Sequence, residues 1–407
     1  MPVTPKPALA DLRVLEWGDF ISAPYAAKMM ADMGADVIKI ERPKVGDESR
    51  RYGPWPNDVP HLERSGLFLN LNTNKRSISA DLETATGRDI FLELCKHADV
   101  LIENRHPSES KRLGLDYEML REVNPRLIVT SVTVFGHTGP YAGYKGHALQ
   151  ATALSGVASR MGDPKRSPLT TPLSRGDYWG ALNAAAATMT AVFARRKTSC
   201  GQHVDVSSAE AMSTLINALN VTDFVDVGFY PTRTGHRLGY IGYPWVILPV
   251  KDGYYSLITV QDRHWQRFVE LIGNPEWSKK PRYQDRDSMG KVYPDEVDAL
   301  IKPYLAKKTK KQLWAECREN KIPFHAVQNM ADVVNCQHLK ARDYFVEFDH
   351  PEAGRLKYPG APYRFSKTPW RVRRPAPKLG QHNAEILCGL IGFSRYDLVD
   401  LRRTGII

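Results

Sequence analysis

Apolar residues in the first half of the chain fall into short β-branched runs separated by stretches of helical period. Arg13 to Leu15 opens the series, and Asp36 to Ile40, Ser77 to Leu82, Asp99 to Ile102, Leu127 to Val134 and Val204 to Ser207 continue it. Between them the pattern predicts helices from about Pro24 to Met33, Gly87 to Lys96 and Tyr117 to Val123. Pro24 suits a first helical turn, and Gly34 suits a stop. Strand, helix, strand at this spacing predicts parallel pairing through right-handed crossovers, so the fold class is α/β. The alanine-rich run from Tyr178 to Arg195 predicts a long helix with Arg195, Arg196 and Lys197 at its C-terminal end, and another helix follows from about Ala209 to Asn220.

Near residue 225 the texture changes. Residues 228–263 are rich in Gly, Tyr and Pro, and Val246 to Val250, Lys251-Asp252-Gly253 and Tyr254 to Val260 read as a β-hairpin. Helical segments follow around His264 to Ile272, Pro294 to Ala306 and Lys311 to Glu319, so residues 225–330 form a smaller α+β domain. The tail is rich in Pro, Arg and Gly from Pro351 to Gly380, then helical at Ala384 to Leu390 and Asp397 to Arg402.

Composition narrows the function classes. The 407 residues are 42% hydrophobic and 25% charged, enough apolar content for a large core and unlike a disordered, fibrous or disulfide-stapled chain. The net charge of +11 fits a nucleic acid, an anionic lipid or a phosphate-bearing small molecule as partner. Basic clusters at Lys279-Lys280-Pro-Arg282, Lys307 to Lys311 and Arg371 to Arg374 lie among acidic residues without interleaved aromatics, so no nucleic-acid partner is expected. Ala181 to Phe193 is too short and too interrupted to cross a bilayer, and Met1 to Ala10 lacks the apolar centre of a secretory signal. Five separated cysteines without a C-x-x-C pair fit a reducing cytoplasm.

Familiar site chemistries are missing. The turn after the first strand reads Gly18-Asp-Phe-Ile-Ser-Ala-Pro, with one glycine where a dinucleotide fingerprint needs three. There is no phosphate loop of the nucleoside-triphosphatase kind and no G-x-S-x-G elbow. None of the 12 histidines has another at i+3 or i+4, so no metal site is expected.

A set of short strings points elsewhere. Gly34-Ala-Asp-Val-Ile-Lys-Ile-Glu-Arg-Pro43 is followed by Asn74-Lys75-Arg76-Ser77, Asp99-Val-Leu-Ile-Glu-Asn104, Arg112 to Asp116, Asn124 to Ile128 and Phe135-Gly-His-Thr-Gly-Pro-Tyr141. Then come Gly176-Asp177-Tyr178, Gly201 to Ser207, Gly360 to Pro362 and Pro375 to Gln381. In this order they resemble the family III CoA-transferases, which include formyl-CoA and crotonobetainyl-CoA:carnitine transferases and also α-methylacyl-CoA racemases. The resemblance implies an acyl-CoA:carboxylate CoA-transferase. It implies a large Rossmann-like domain built from both chain ends, residues 1–224 and 331–407, around the smaller domain, and two interlocked subunits. A homodimer and a hetero-oligomer with a related subunit both stay open. Coenzyme A and its acyl thioesters enter as substrates, with no tightly bound cofactor.

The same resemblance implies that Asp177 is the nucleophile, forming first an aspartyl anhydride and then an aspartyl-CoA thioester. Its place before the alanine-rich helix would favour the ionised form through backbone N–H groups and the helix dipole. Phe20, Ile21 and Ser22 would contact CoA through backbone. Arg42 would lie near the adenine, Lys75 and Arg105 near the phosphates, and Lys145 near the pantetheine arm or the active site. Gly239 and Gly242, with Gly235, are candidates for a loop supplying oxyanion donors. His147 stands where the racemases carry a proton-transferring histidine, so a racemase or epimerase using His147 and Asp177 is an alternative, as is a non-catalytic CoA-binding subunit. Tyr144, Tyr178, Trp179, Tyr240, Tyr243 and Trp245 are candidates for an aromatic pocket that would take succinyl-CoA's CoA to a bulky acid such as benzylsuccinate.

Overall fold

The computed structural model describes residues 6–216, 218–229, 232–237 and 242–407. Its centre is a six-stranded parallel sheet of β1 (Arg13–Trp17), β2 (Asp36–Glu41), β3 (Arg76–Ser79), β4 (Val100–Glu103), β5 (Ile128–Thr133) and β6 (His203–Ser207). The strands lie in the order β3-β2-β1-β4-β5-β6, the doubly wound arrangement in which chain direction across the sheet reverses between β1 and β4. Consecutive residues point to opposite faces. Val14, Val37, Val100 and Ile128 enter one core and Leu15, Ile38, Leu101 and Val129 the other, which is why these strands read as continuous apolar runs.

The helices of the larger unit follow chain order: α1 (Ser22–Asp32), α2 (Gly66–Leu71), α3 (Ala85–Lys96), α4 (Pro107–Leu113), α5 (Tyr117–Val123), α6 (Ala148–Leu154), α7 (Arg175–Thr198), α8 (Ser208–Ile216) and α9 (Ala218–Val227). One core packs α1 against α7 through Ala23, Ala26, Ala27, Ala181, Ala184 and Ala185, whose small side chains let the two helices approach closely. The other core takes Ile90, Phe91 and Leu94 from α3 together with Ile386, Leu387, Leu398 and Leu401 from the end of the chain. That end returns to the β3 edge, where Ser77 N–H donates to His382 Nδ1 at 3.1 Å and Ser79 N–H to Asn383 Oδ1 at 2.9 Å.

Contacts divide the chain into two compact units. One comprises residues 1–157, 170–227 and 340–407, and the other 158–169 and 228–339. The second has its own core of Val246, Leu248, Tyr255, Leu257, Trp265, Phe268 and Ile301. It is built on the hairpin of β7 (Trp245–Val250) and β8 (Gly253–Ile258), with the short β9 (His325–Ala326) beside β8. Among the described residues no helix is long and apolar enough to cross a membrane, and no cluster of His, Cys, Asp and Glu could hold a metal ion.

Candidate active site

Parallel doubly wound sheets bind ligands where the strand order reverses, beyond the C-terminal ends of the strands. Here β1 ends on Trp17 and β4 on Glu103, and a cleft of about 870 Å³ opens over the loops that follow. It is lined by Asp19, Phe20, Ile21 and Ser22 from the loop after β1, Asn104, Arg105 and His106 after β4, and Thr133 to Gly136 after β5. Lys145, Gly146, His147 and Asp177 complete it around the starts of α6 and α7.

Asp177 lies within its helix rather than before it. The alanine-rich helix begins one turn earlier, Ser174 takes the N-cap position, and Asp177 sits inside the first turn. Its carboxylate receives no hydrogen bond among the described residues, and partial burial pushes its carboxyl up to about 6 while the neighbouring His147 charge pulls it down. Burial, not stabilisation by backbone N–H groups, thus dominates the Asp177 environment. The group is still mostly ionised at neutral pH, yet poorly solvated, as a nucleophilic carboxylate should be.

Glycines set that placement. A methyl group at Gly176 would lie 2.9 Å from Ala151 Cβ and 3.3 Å from Ala148 Cα, so α6 and α7 meet across a position that only hydrogen fits. His147 stands at the N-terminus of α6, where its N–H donates to Gln150 Oε1 at 3.0 Å, and its ring is exposed to the cleft.

The loop after β1 is held from both sides. Asn104 acts as a peptide mimic across the strand reversal: Oδ1 accepts Asp19 N–H at 2.9 Å, while Nδ2 donates to Asp19 O at 2.7 Å and Ser22 Oγ at 2.9 Å. Phe20 adopts a left-handed φ of 64°, unusual for a bulky residue, and its N–H is held by Asp47 Oδ1 at 3.1 Å. Below it lies a buried charge network. Lys39 bridges Glu16 (2.5 Å) and Asp47 (2.6 Å), and Arg50 grips Glu41 (2.7 Å) and Glu63 (2.6 Å).

The sequence-derived contact set is thus largely gathered in one place: Phe20, Ile21, Ser22, Arg105, Lys145, His147 and Asp177 share the cleft. Arg42 lines a smaller cavity of about 220 Å³ that has Asp19, Glu48, Arg105 and Glu109 in common with the cleft. Arg105 forms an ion pair with Asp19 at 2.8 Å and lies over Trp17. Lys75 is elsewhere. It is wholly buried, its ammonium in an ion pair with Glu16 (2.6 Å) and donating to Pro24 O (2.8 Å) and Asn72 Oδ1 (2.8 Å). A phosphate contact for Lys75 is corrected to a structural one, because the Glu16 charge beneath the loop needs a buried counter-ion.

Gly239 and Tyr240 lie outside the described residues. Gly242 belongs to the second unit, and its N–H is taken by Asp287 Oδ1 at 3.1 Å; the Gly235 N–H is likewise taken by Gly162 O at 3.0 Å. Of the expected aromatic set, among the described residues only Tyr144 lines the cleft, whereas Tyr243 is buried in the second unit's core and Tyr178 packs edge-on against Tyr25. The aromatics that do line it are Phe20, Tyr52, Phe135 and Tyr144. Tyr52 carried no periodic or motif signal, and Asn104 and Phe135 stood in motifs without an assigned role.

Comparison with known proteins identifies the family. The family model described as CoA-transferase family III matches residues 9–383. Succinate–glutarate CoA-transferase of Agrobacterium fabrum is 31% identical over 387 residues, covering 95% of this chain and 96% of its own. The BbsE subunit of succinyl-CoA:(R)-benzylsuccinate CoA-transferase of Thauera aromatica is 33% identical over 398 residues, 94% of each chain. A crystal structure of a CAIB/BAIF family protein from Brucella suis superposes with a TM-score of 0.85 at 30% identity, covering 95% of this chain and all of that one. The chain belongs to the family III CoA-transferases, enzymes that pass coenzyme A from an acyl-CoA to a carboxylate.

Proposed function

We propose that this enzyme transfers CoA from a donor such as succinyl-CoA to a second carboxylic acid by covalent catalysis at Asp177. The observation that carries the reading is the Asp177 carboxylate itself: partly desolvated, free of hydrogen bonds among the described residues, and on the wall of the strand-reversal cleft. Its oxygen attacks the donor thioester, forming an aspartyl anhydride and releasing CoA thiolate. The thiolate then attacks the aspartyl carbonyl, giving an enzyme thioester and free donor acid. The acceptor carboxylate attacks that thioester, and CoA returns to the new acyl group in the mirror-image steps. One thioester replaces another, so no nucleoside triphosphate is required.

The residues around Asp177 have distinct tasks in this scheme. The backbone of Phe20 to Ser22, fixed by Asn104 and Asp47, flanks the pantetheine arm; Arg105 and Arg42 face the phosphates and adenine; Lys145, exposed and without an ion pair among the described residues, is free to meet an anion. His147 lowers the cost of the Asp177 charge. The cleft volume and its lining of Phe20, Tyr52, Phe135 and Tyr144 favour a bulky or dicarboxylic acceptor over formate, in keeping with the glutarate and benzylsuccinate in the names of the relatives. Exposed Phe193 on α7 and Val221, Phe224, Val225 and Val227 on α9 fit burial against a second, interlocked subunit, either another copy or a related chain.

A second reading is favoured by the shared cleft of His147 and Asp177, which fits α-proton exchange by a racemase. Incubation with a panel of acyl-CoAs and free acids in deuterium oxide separates the two. CoA exchange that needs an acceptor, without deuterium wash-in, supports transfer; rapid wash-in with no acceptor present contradicts it.

A further inference from the structure

Behind the cleft wall, β4 and β5 end on titratable groups that the transfer chemistry leaves unused. Glu103, the last residue of β4, is 3% exposed; its Oε2 accepts the Arg105 N–H at 2.5 Å, and the Ser131 hydroxyl faces it from β5. From the loop after β5 the His137 ring turns inward. Its Nε2 is buried, has no hydrogen-bond partner and lies 3.8 Å from Glu103 Oε1. The rest of the surroundings is equally defined. Both Asp205 oxygens accept the His137 N–H at 2.9 Å, the His203 ring meets His137 edge-on at 5.4 Å with its Nε2 2.9 Å from Ser131 Oγ, and His106, Arg105 and Glu109 approach from the β4 side.

The tautomer follows from these contacts. The Arg105 backbone favours a proton on the His137 ring, and Nε2 is the nitrogen without a partner, which assigns the donor to Nδ1. In the neutral ring Nε2 is then an acceptor, and the group it faces is the Glu103 carboxyl. A protonated Glu103 can donate to it after an approach of about 1 Å, whereas an ionised Glu103 would set a carboxylate against a lone pair. Burial acts in the same sense, pushing the Glu103 carboxyl up to about 7 and the His137 imidazole down. Asn104 to His106 follow Glu103 and Thr133 to Gly136 precede His137, so this one contact ties together two segments of the cleft wall.

We propose that Glu103 is a positioning residue that is protonated and bonded to His137 when CoA occupies the cleft, so that binding CoA takes up a proton. This rests on the placement of CoA phosphates beside Arg105. An ionised Glu103 puts a second anion behind the guanidinium that must hold them, so affinity falls as pH rises through the Glu103 titration.

Calorimetric titration of the intact enzyme with free CoA tests this. Between pH 6.5 and 8.5 the wild-type Kd should rise by about sixfold relative to Glu103→Gln, which keeps the neutral shape, corresponding to a ligand-linked shift of about one pK unit. At pH 7.5 the wild type should also take up protons on binding, read from the difference in heat between phosphate and Tris buffers. If Arg105→Ala leaves CoA binding at pH 6.5 unchanged, the placement of CoA is wrong. If Arg105→Ala weakens binding, yet wild type and Glu103→Gln show the same pH ratio or no proton is taken up, the placement stands and the role given to Glu103 is overturned.

Discussion

Replacing Asp177, the proposed nucleophile, should make the protein more stable as well as inactive, and the gain should depend on pH. The Asp177 carboxyl is raised from 3.8 to about 6 in the folded protein, chiefly by burial. Roughly two pK units at 1.36 kcal/mol each give a ceiling of about 3 kcal/mol, and contact with cleft solvent reduces this to about 1–2 kcal/mol. The sign follows from linkage. Because the folded-state value lies above the unfolded one, the native state holds the proton more tightly; the group contributes stability fully below pH 3.8 and loses it as pH rises through about 6. At pH 8 the wild type therefore carries a desolvated charge that Asp177→Asn lacks. Urea denaturation of both proteins at pH 8 and pH 4.5 should show Asp177→Asn more stable by about 1–2 kcal/mol at pH 8 and by well under half of that at pH 4.5. An equal difference at both pH values, or a less stable variant at pH 8, would refute the reasoning that Asp177 is held as a desolvated carboxylate.

The remaining predictions concern the same cleft and its support. The kcat should rise through about pH 6 as Asp177 ionises, and His147→Ala should move that limb to higher pH, since His147 pulls the Asp177 value down; a limb unmoved in the pH–rate profile counts against their coupling. Lys75→Met, which removes a buried partner of Glu16, should lower stability by about 3–5 kcal/mol, whereas Lys145→Ala should leave the melting temperature unchanged and raise KM for acyl-CoA. Gly176→Val should drive α7 away from Ala148 and Ala151, cost about 1–3 kcal/mol in denaturation and reduce kcat more than KM.

The sheet was legible because its strands are buried on both faces: runs such as Val37-Ile38 and Leu101-Ile102 are unbroken, and crossovers of helical period separate them. The long helix was legible from its alanines, but not its start, since Gly176 is a poor helix former and the extra turn is fixed by packing on α6. α6 itself was missed, as was the hairpin of Phe345–His350 and Gly354–Pro359, whose strands border a stretch dominated by Pro, Arg and Gly. Nothing local marks residues 158–169 as part of the second unit, because long-range contact alone assigns them.

The site divides in the same way. Motif register brought Asp177, His147, Lys145 and Arg105 to one cleft, but it could not tell that Lys75 faces Glu16 rather than a ligand, because the two approach only through the pairing of β1, β2 and β3. Glu103 and His137 were equally hidden, being neighbours only where β4 and β5 end side by side.

Covalent participation of Asp177 is best tested by mass spectrometry of the enzyme quenched during turnover with succinyl-CoA and treated with hydroxylamine. An aspartyl thioester should convert to a hydroxamate, adding about 15 Da to the peptide that contains Asp177 and to no other peptide. An unmodified Asp177 under conditions of active exchange, or the same label on a different carboxylate, would contradict the mechanism.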